Sequence, residues 1–267
     1  MSAAMRAILL PLALLAASSA SAQDADELAK QLANPIASLT SVPFQYNYAE
    51  GLGPAGDGVQ ARLNVQPVIP MSIGDDWNLI SRTILPLIRQ DDLVLGVGRQ
   101  SGTGDTVQSL FFSPKAPTRS GWVWGAGPVF LLATASDDRL GTERWGAGPT
   151  FVALRQTAWG WTYGLLANHI ASFAGNDNRA DVNATFLQPF VSKRIGPGRT
   201  VSTNFESTYD WEAGQWNLPL NVGLSQVLPV GRQMMSFQAG GAWYVEAPAG
   251  GPDWSLRLTV TLLYKRN

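Results

Sequence analysis

The chain has 267 residues, of which 45% are hydrophobic and 15% are charged, and its formal net charge is −1. This near-neutral balance argues against a nucleic-acid partner, which would need clustered Lys and Arg. The sequence contains no cysteine. Disulfides therefore cannot hold the fold, and a packed core or closed strand pairing must do so.

The first 22 residues have the three parts of a secretory signal peptide. Arg6 supplies a positive charge, residues 7–17 form an apolar stretch, and Ala20-Ser21-Ala22 is a small-x-small cleavage site. The alternative is an N-terminal membrane anchor, but the apolar stretch is too short to span a bilayer as a helix. We therefore expect export and cleavage near Ala22, which leaves enough chain for one barrel or two small globular domains.

Residues 23–40 are predicted to form an N-terminal segment with a short helix. Between Asp24 and Asn34, alanines and leucines recur at helical spacing and make a narrow apolar stripe. Asn34-Pro35 ends the helix, because the residue before a proline is disfavoured in the helical conformation. This segment is expected either to plug the lumen of a barrel or to lie in the periplasm as a tether.

Beyond this segment, apolar and polar residues alternate in one stretch after another. Between Trp254 and Tyr264 the even positions are Trp, Leu, Val or Tyr, and positions 255, 257, 259 and 261 are Ser, Arg or Thr. Successive side chains of a strand point to opposite faces. Thr200–Trp211 and Gln215–Leu228 repeat the pattern. Such strands, repeated along a secreted chain, are typical of a transmembrane β-barrel.

The predicted fold class is all-β: a transmembrane, antiparallel, up-and-down barrel of about 12 strands over residues 41–267, after the short N-terminal helix. No apolar stretch after the signal is long enough for a membrane helix, so closed strands would carry any membrane insertion. A soluble β-sandwich is the alternative, but it does not explain outward-facing aromatics on nearly every strand. The predicted strands are Pro43–Glu50, Gly58–Pro70, Trp77–Arg89, Asp105–Ser113, Gly121–Thr134, Arg144–Thr157, Gly160–Phe173, Ala180–Arg194, Thr200–Trp211, Gln215–Leu228, Gln233–Glu246 and Asp253–Tyr264.

The connections between the predicted strands alternate in character, and this sets the orientation. Gln90–Gly104 and Ala135–Glu143 are long and rich in Gly, Asp or Asn, whereas Ala158–Trp159 and Gly196–Gly198 are short. Outer-membrane barrels have short periplasmic turns and longer external loops. The long connections are therefore predicted to be external, and both ends of the barrel periplasmic.

Proline recurs inside the predicted strands, where it cannot donate to the ladder and would need bulges. One sequence also repeats: Trp124–Phe130 resembles Trp145–Phe151, each beginning Trp-Gly-Ala-Gly-Pro. Small residues at alternate positions leave room for a plug or a bulky neighbour. The alternative is a shared folding device, which we favour. The prolines are Pro67, Pro86, Pro128, Pro149, Pro189 and Pro219.

In several segments the chain resembles a bacterial outer-membrane "transporter" family, often mislabelled neuromedin U. That family is related to the MetA-type proteins of phenol-degradation operons and to FadL-like barrels. The resemblance covers nearly the whole mature chain and implies an outer-membrane channel for a small solute, with apolar or aromatic molecules as candidates. It carries over no catalytic residue. The segments that carry it are Glu27–Gln31, Asn64–Pro70, Asp76–Thr83, Trp124–Phe130, Trp145–Pro149, Ser172–Gly175 and Gly251–Trp254.

Chemistry at a catalytic or metal site is not expected. The chain has one histidine, His169, and Ser172 lies on the opposite face of a strand, where it cannot serve as its nucleophile. Gly175–Asn178 with Asp181 offers oxygen ligands for calcium, although the same residues suit a tight loop. We predict no catalytic residue, no metal and no cofactor.

Along each strand, the polar residues that alternate with the apolar ones predict the lining of the lumen. If the apolar parity faces lipid, three arginines and four acidic residues face inward, and Leu220, Val222 and Leu258 face lipid. Opposed basic and acidic walls would set a transverse field across a pore. The alternative is ion pairing that fills a narrow barrel. The predicted pore-lining residues are Arg62, Arg82, Arg257, Asp181, Glu206, Asp210 and Glu246.

The sequence thus predicts an outer-membrane barrel that passes a small solute passively. A structural or adhesive barrel with a closed lumen is the alternative, and an outer-membrane enzyme ranks third. The expected partners are outer-membrane lipids, the outer-membrane assembly machinery and the solute, with no nucleic acid. The oligomeric state stays open.

Overall fold

The computed structural model describes residues 23–94 and 96–264. The predicted signal peptide lies outside these residues. The described chain begins with a helix, α1, over residues 23–32, and continues as strands. No helix within the described ranges is long and apolar enough to cross a membrane.

Within the described residues, sixteen strand segments follow α1, and they form twelve barrel strands because four barrel strands are each built from two segments. The split strands are β2 with β3, β5 with β6, β11 with β12 and β13 with β14. The bounds are β1 Thr40–Leu52, β2 Gly58–Val65, β3 Val68–Ile73, β4 Trp77–Asp91, β5 Gln100–Thr103, β6 Thr106–Pro114, β7 Trp122–Leu132, β8 Arg144–Gln156, β9 Trp161–Gly175, β10 Asn183–Gly196, β11 Arg199–Phe205, β12 Ser207–Asp210, β13 Gln215–Asn217, β14 Pro219–Val230, β15 Gln233–Tyr244 and β16 Trp254–Tyr264.

The first and last strands pair with each other and close the barrel. β1 is antiparallel to β2 on one side and to β16 on the other. Asn47 lies opposite Arg62 in the first pairing and opposite Arg257 in the second. Closure leaves no unpaired edge. The predicted all-β, antiparallel barrel of twelve strands with a short N-terminal helix is therefore confirmed.

The outer surface follows the predicted alternation. Val222 and Leu258 are 47% and 44% exposed, and Leu220 on the same parity is half-buried. On the opposite parity Ser255 and Thr259 are buried. Exposed aromatic side chains gather at both ends of the barrel. Those at the short-turn end include Trp77, Trp122 and Trp161, and those at the long-loop end include Trp145, Trp211 and Trp254.

The interior has two unlike halves. Along β4 and β6 to β9, inward side chains form an apolar cluster that includes Ile80, Phe111 and Leu154, each at most 1% exposed. Along β14 to β16, β1 and β2 many inward side chains are amides, hydroxyls and arginines, with Asn221 and Thr259 among the buried ones, although Val227 and Leu263 form a second apolar cluster. The alternation did not reveal the apolar half, because residues there are apolar on both parities.

The repeated Trp-Gly-Ala-Gly-Pro sequence allows the strands to approach closely. A Cβ atom at Gly127 would collide with the carbonyl oxygen of Leu110, and one at Gly148 with that of His169. The prolines that follow these two glycines lie opposite each other in the β7–β8 pairing. A Cβ at Gly125 would lie 3.3 Å from Cδ1 of Ile36, in the N-terminal segment. The repeat therefore serves both strand packing and the space that this segment occupies.

The other prolines lie mostly where the ladder is interrupted. Pro67 falls in the break between β2 and β3, and Pro219 begins β14 directly after another break. The carbonyl of Pro86 accepts from Gly104 N, beside the gap between β5 and β6. A break removes the need for the missing N–H, so interruptions of the strands accommodate these three prolines.

Candidate functional site: the barrel lumen

The N-terminal segment lies inside the short-turn end of the barrel. Asp26 of α1 forms a salt bridge with Arg194, with Nη1 and Oδ2 2.5 Å apart. The side chain of Gln156 donates to the carbonyl of Lys30 at 2.7 Å. Leu28 is 2% exposed and packs in a cluster with Val227 and other inward residues of the wall. Charged, polar and apolar contacts together hold the helix against the inner wall.

The chain after α1 reaches further into the lumen. Ile36 is 4% exposed and packs into the apolar cluster with Phe111 and Leu154. Two residues on, the Ser38 hydroxyl accepts a hydrogen bond from Asn78 Nδ2 at 3.1 Å. Residues 23–39 are called the plug segment below. Of the two roles predicted for it, plug or periplasmic tether, these contacts fit the plug.

One ion pair joins two separate strands of the inner wall across part of the lumen. Arg257 on β16 donates from both terminal nitrogens to the two carboxylate oxygens of Glu206, at 2.8 and 2.9 Å. Its Nε also donates to Asn47 Oδ1 at 2.7 Å. Glu206 lies between β11 and β12, three barrel strands away from β16. This two-pronged geometry fixes both side chains and is the strong form of an arginine–carboxylate contact.

The other two predicted lumen arginines have only amide partners. Arg62 donates to Gln60 Oε1 at 3.1 Å, and Arg82 donates to Gln66 Oε1 at 3.2 Å. Across residues 23–94 and 96–264, neither forms a salt bridge within 4.0 Å. Arg82 also interacts electrostatically with Glu206. An amide oxygen satisfies a donor without neutralising its charge, so the guanidinium charge of Arg62 stays uncompensated.

Two cavities occupy the lumen around these side chains. The cavity towards the long loops has a volume of about 420 Å³, and Arg62, Glu206 and Arg257 line it. The smaller one, about 190 Å³, lies between the plug segment and the wall, and Arg82 lines it. In these two linings, the charged side chains are three arginines and one glutamate. The Arg257–Glu206 pair and the plug segment therefore narrow the lumen without filling it.

The predicted acidic wall needs correction. Asp210 ends β12, and its carboxylate accepts from the backbone N–H groups of Glu212 and Ala213 in the following turn. Glu246 lies in the loop before β16 and accepts from Gln215. Asp181, also in a loop, accepts from Ser172. None of the three lines either cavity. Their side chains serve loop hydrogen bonds, which leaves Glu206 without an acidic neighbour in those linings.

The loop considered for calcium holds a guanidinium. Arg144, whose side chain is 10% exposed, lies 3.3 Å from Asp177 and 3.1 Å from Asp181. It also donates to the carbonyl of Arg179 at 2.7 Å. A fixed positive charge already occupies this oxygen cluster, so the arrangement ties the start of β8 to the loop between β9 and β10.

The single histidine has a hydroxyl neighbour on the next strand. His169 Nδ1 lies 3.0 Å from Thr185 Oγ1, to which Trp211 Nε1 also donates at 2.9 Å. His169 shares its parity with the exposed Leu165, on the outer surface. Ser172 bonds to Asp181 instead. This arrangement makes His169 part of the outer polar contacts near the loop end.

Sequence reasoning missed several residues that shape the lumen. Asn47 holds Arg257, Gln60 and Gln66 hold the other arginines, and Ile36 fills the apolar side. Asn47 and Gln60 share the inward parity of their strands, so alternation could have found them. Nothing in the local pattern indicates that Ile36 enters the barrel.

The fold and this lumen define the chain as a closed, plugged, twelve-stranded antiparallel barrel. No family model matches the sequence, and no curated protein matches it. Among solved structures it is similar to the COG4313 outer membrane channel from Pseudomonas putida F1, with a TM-score of 0.67, 15% identity, and coverage of 85% of this chain and 96% of that chain.

Two further solved structures match with lower scores. The KdgM porin in complex with disordered oligogalacturonate gives a TM-score of 0.44 and 12% identity, covering 85% of this chain and 99% of that chain. Outer membrane phospholipase A from Escherichia coli gives 0.48 and 12%, covering 84% and 90%. At these identities the likeness concerns the fold alone.

Proposed function

We propose that this protein is an outer-membrane channel through which a small solute passes passively. The observation that carries the proposal is the contrast between the two surfaces of the barrel. Its outside is apolar between two rings of aromatic side chains, whereas its inside holds a cavity of about 420 Å³ walled by amides and charges. An apolar band between aromatic girdles suits a bilayer, and a polar, cavity-containing lumen suits passage.

Localisation follows from the same features. The predicted signal peptide would export the chain, and closed strands satisfy every backbone group within lipid. Outer-membrane lipids and the assembly machinery are its proposed partners. The similarity to a COG4313 outer membrane channel agrees with this proposal at the level of the fold.

The plug segment sets the expected size of the pathway. The segment occupies the short-turn end of the barrel. The gap between the segment and the barrel wall is a cavity of about 190 Å³. Passage of anything larger than water and small ions would require the segment to shift. We therefore expect small, fluctuating conductance rather than the large steady current of an open porin.

Planar-bilayer recording with the purified protein tests the proposal. The parent should conduct, and a variant without residues 23–39 should conduct more. A bilayer control with the heat-denatured protein excludes leakage caused by detergent. Absence of conductance in both the parent and the truncated variant, with folding shown by heat-modifiable gel migration, would refute a channel.

A structural barrel with a closed lumen is the second candidate, and one observation favours it. Ile36 packs among side chains that are 0–2% exposed, which is the environment of a permanent core. If the segment never moves, the parent stays silent while the truncated variant conducts. That pair of results would select the structural role.

We propose no catalytic role. His169 bonds to a threonine and has no arranged nucleophile–base–orienter set of the kind hydrolysis requires. Hydrolysis of a phospholipid substrate by the purified protein, abolished in His169→Ala, would overturn this part of the proposal.

A further inference from the structure

We propose that the lumen binds a small organic carboxylate, held by the guanidinium group of Arg62 in the cavity towards the long loops, with Arg82 as the next position towards the plug segment. This inference rests on the proposed function and names the class of solute that the channel admits. It follows from which charges the inner wall neutralises, and from what else lines the cavity.

The pairing of strands places Arg62 and Arg257 on either side of Asn47. Asn47 on β1 lies opposite Arg257 on β16 and opposite Arg62 on β2, so the three residues form one row across three neighbouring strands. All three side chains line the cavity of about 420 Å³ towards the long loops. A row of this kind concentrates positive charge on one side of the lumen.

Only one member of this row is neutralised. Glu206 offers both carboxylate oxygens to Arg257 and has none left in that geometry for a second two-pronged contact. Arg62 keeps an amide partner, is exposed to the cavity and has free N–H donors. A guanidinium fork with free donors matches the two oxygens of a carboxylate.

Arg82 continues the path towards the plug segment. It lines the smaller cavity, between the plug segment and the wall, and its hydrogen-bond partner is also an amide. Both carboxylate oxygens of Glu206 already accept from Arg257. Arg82 is therefore attracted to Glu206 electrostatically, without a direct hydrogen bond. A carboxylate leaving Arg62 would meet a second guanidinium before it reaches the plug segment, which is the arrangement that lets a bound solute move on.

The rest of the cavity wall favours an organic anion over a bare inorganic one. Phe186 and Leu52 supply apolar surface, Tyr244 an aromatic ring, and Gln45 and Asn64 amide groups. A volume of about 420 Å³ falls in the range of small-molecule sites, about 300–1,000 Å³. The matching ligand carries one carboxylate on a short apolar or aromatic body.

Isothermal titration of the purified, detergent-folded protein with three probes tests the proposal. Benzoate carries the carboxylate, benzamide keeps the shape without the charge, and inorganic phosphate keeps charge without the apolar body. Benzoate should bind at least about tenfold more tightly than either of the others, which corresponds to one lost charge-assisted contact.

Variants locate the site. Arg62→Gln should weaken benzoate binding about tenfold, and Arg62→Lys should weaken it less because the charge remains. Arg82→Gln should weaken it less than Arg62→Gln, because Arg82 lines the smaller cavity beyond the site. Arg89→Gln is the matched control, since Arg89 is on β4 with Arg82 but on the outward parity, where it faces Asp91. Heat-modifiable migration verifies that each variant folds, and Arg62→Lys still tests the site if Arg62→Gln fails to fold.

The outcomes separate the two proposals. Equal affinity for benzoate and benzamide, or an equal loss in Arg89→Gln, would overturn the carboxylate site. Phosphate binding as tightly as benzoate would overturn the organic class. Because titration needs no current, a conducting protein without benzoate affinity refutes this inference alone, whereas benzoate affinity in a silent barrel refutes the channel and keeps the site.

Discussion

The Arg257–Glu206 ion pair gives the sharpest test of how the lumen is built. We consider Glu206→Gln and Arg257→Met, singly and together, in a double-mutant cycle. The two hydrogen bonds are 2.8 and 2.9 Å long, and the side chains are 15% and 26% exposed. The pair is thus neither a surface contact nor a dry one.

These values bound the coupling energy. An exposed ion pair contributes about 0–1 kcal/mol, and removing one partner of a buried pair costs about 3–5 kcal/mol. Because the pair borders a cavity, we expect a coupling of about 2 kcal/mol, near the contribution of hydrogen bonds to charged groups. The two single substitutions should also cost unequal amounts. Glu206→Gln leaves three arginines without a counter-ion in the cavity linings, whereas Arg257→Met leaves Glu206 near Arg82.

The assay is equilibrium unfolding in lipid vesicles, followed by tryptophan fluorescence at two salt concentrations. Glu206→Gln should lower the free energy of unfolding more than Arg257→Met does, and added salt should narrow the difference. The control cycle uses Arg89 and Asp91, which lie 3.7 Å apart on the outer parity with side chains 57% and 30% exposed. A lumen coupling no larger than the control, or a larger cost for Arg257→Met, would refute the reasoning.

Three further predictions concern location, facing and strand packing. The mature protein should fractionate with the outer membrane and show heat-modifiable migration, and recovery in the soluble periplasm would contradict the proposed location. Arg in place of Val222 or Leu258 should lower the free energy of unfolding by about 2–4 kcal/mol near the bilayer midplane, and a negligible loss at both would reverse the assigned outer surface. Gly127→Ala should lower the free energy of unfolding by about 1–3 kcal/mol, because the added Cβ meets a backbone carbonyl. Gly223→Ala should cost less, because its Cβ meets the movable end of Gln238. Equal unfolding midpoints for the two variants would contradict this.

The strands were predictable because their signal is local. The alternation between Gln215 and Leu228 predicted a strand that the structure extends to Val230, with one break at Leu218. The stretch beginning at Trp77 continues to Asp91, two residues past the predicted end at Arg89. Period-two alternation depends only on neighbours in sequence, so the strands emerge without knowledge of the rest of the chain.

The partners of the charged residues could not be predicted in the same way. Arg257 contacts Asn47, 210 positions away, only because the barrel closes between β16 and β1. Its pairing with Glu206 depends on the width of the lumen, which no single strand encodes. Asp210 has the same parity as Glu206, but it ends its strand, where unpaired turn N–H groups compete for its carboxylate.

Different residues of the lumen are expected to control closure and selectivity. Ile36 of the plug segment packs into the apolar cluster, whereas Arg62 and Arg82 line the two cavities. Ile36→Ala should loosen the plug segment, because truncating a buried isoleucine removes about 2–5 kcal/mol of packing. It should raise conductance while leaving the reversal potential in a salt gradient unchanged.

Replacing Arg62 and Arg82 by Gln should do the reverse, moving the reversal potential towards cation selectivity with little change in plug docking. If Ile36→Ala shifts the reversal potential as far as the arginine variants do, the plug segment itself sets the charge of the pathway, and the separation of closure from selectivity is wrong.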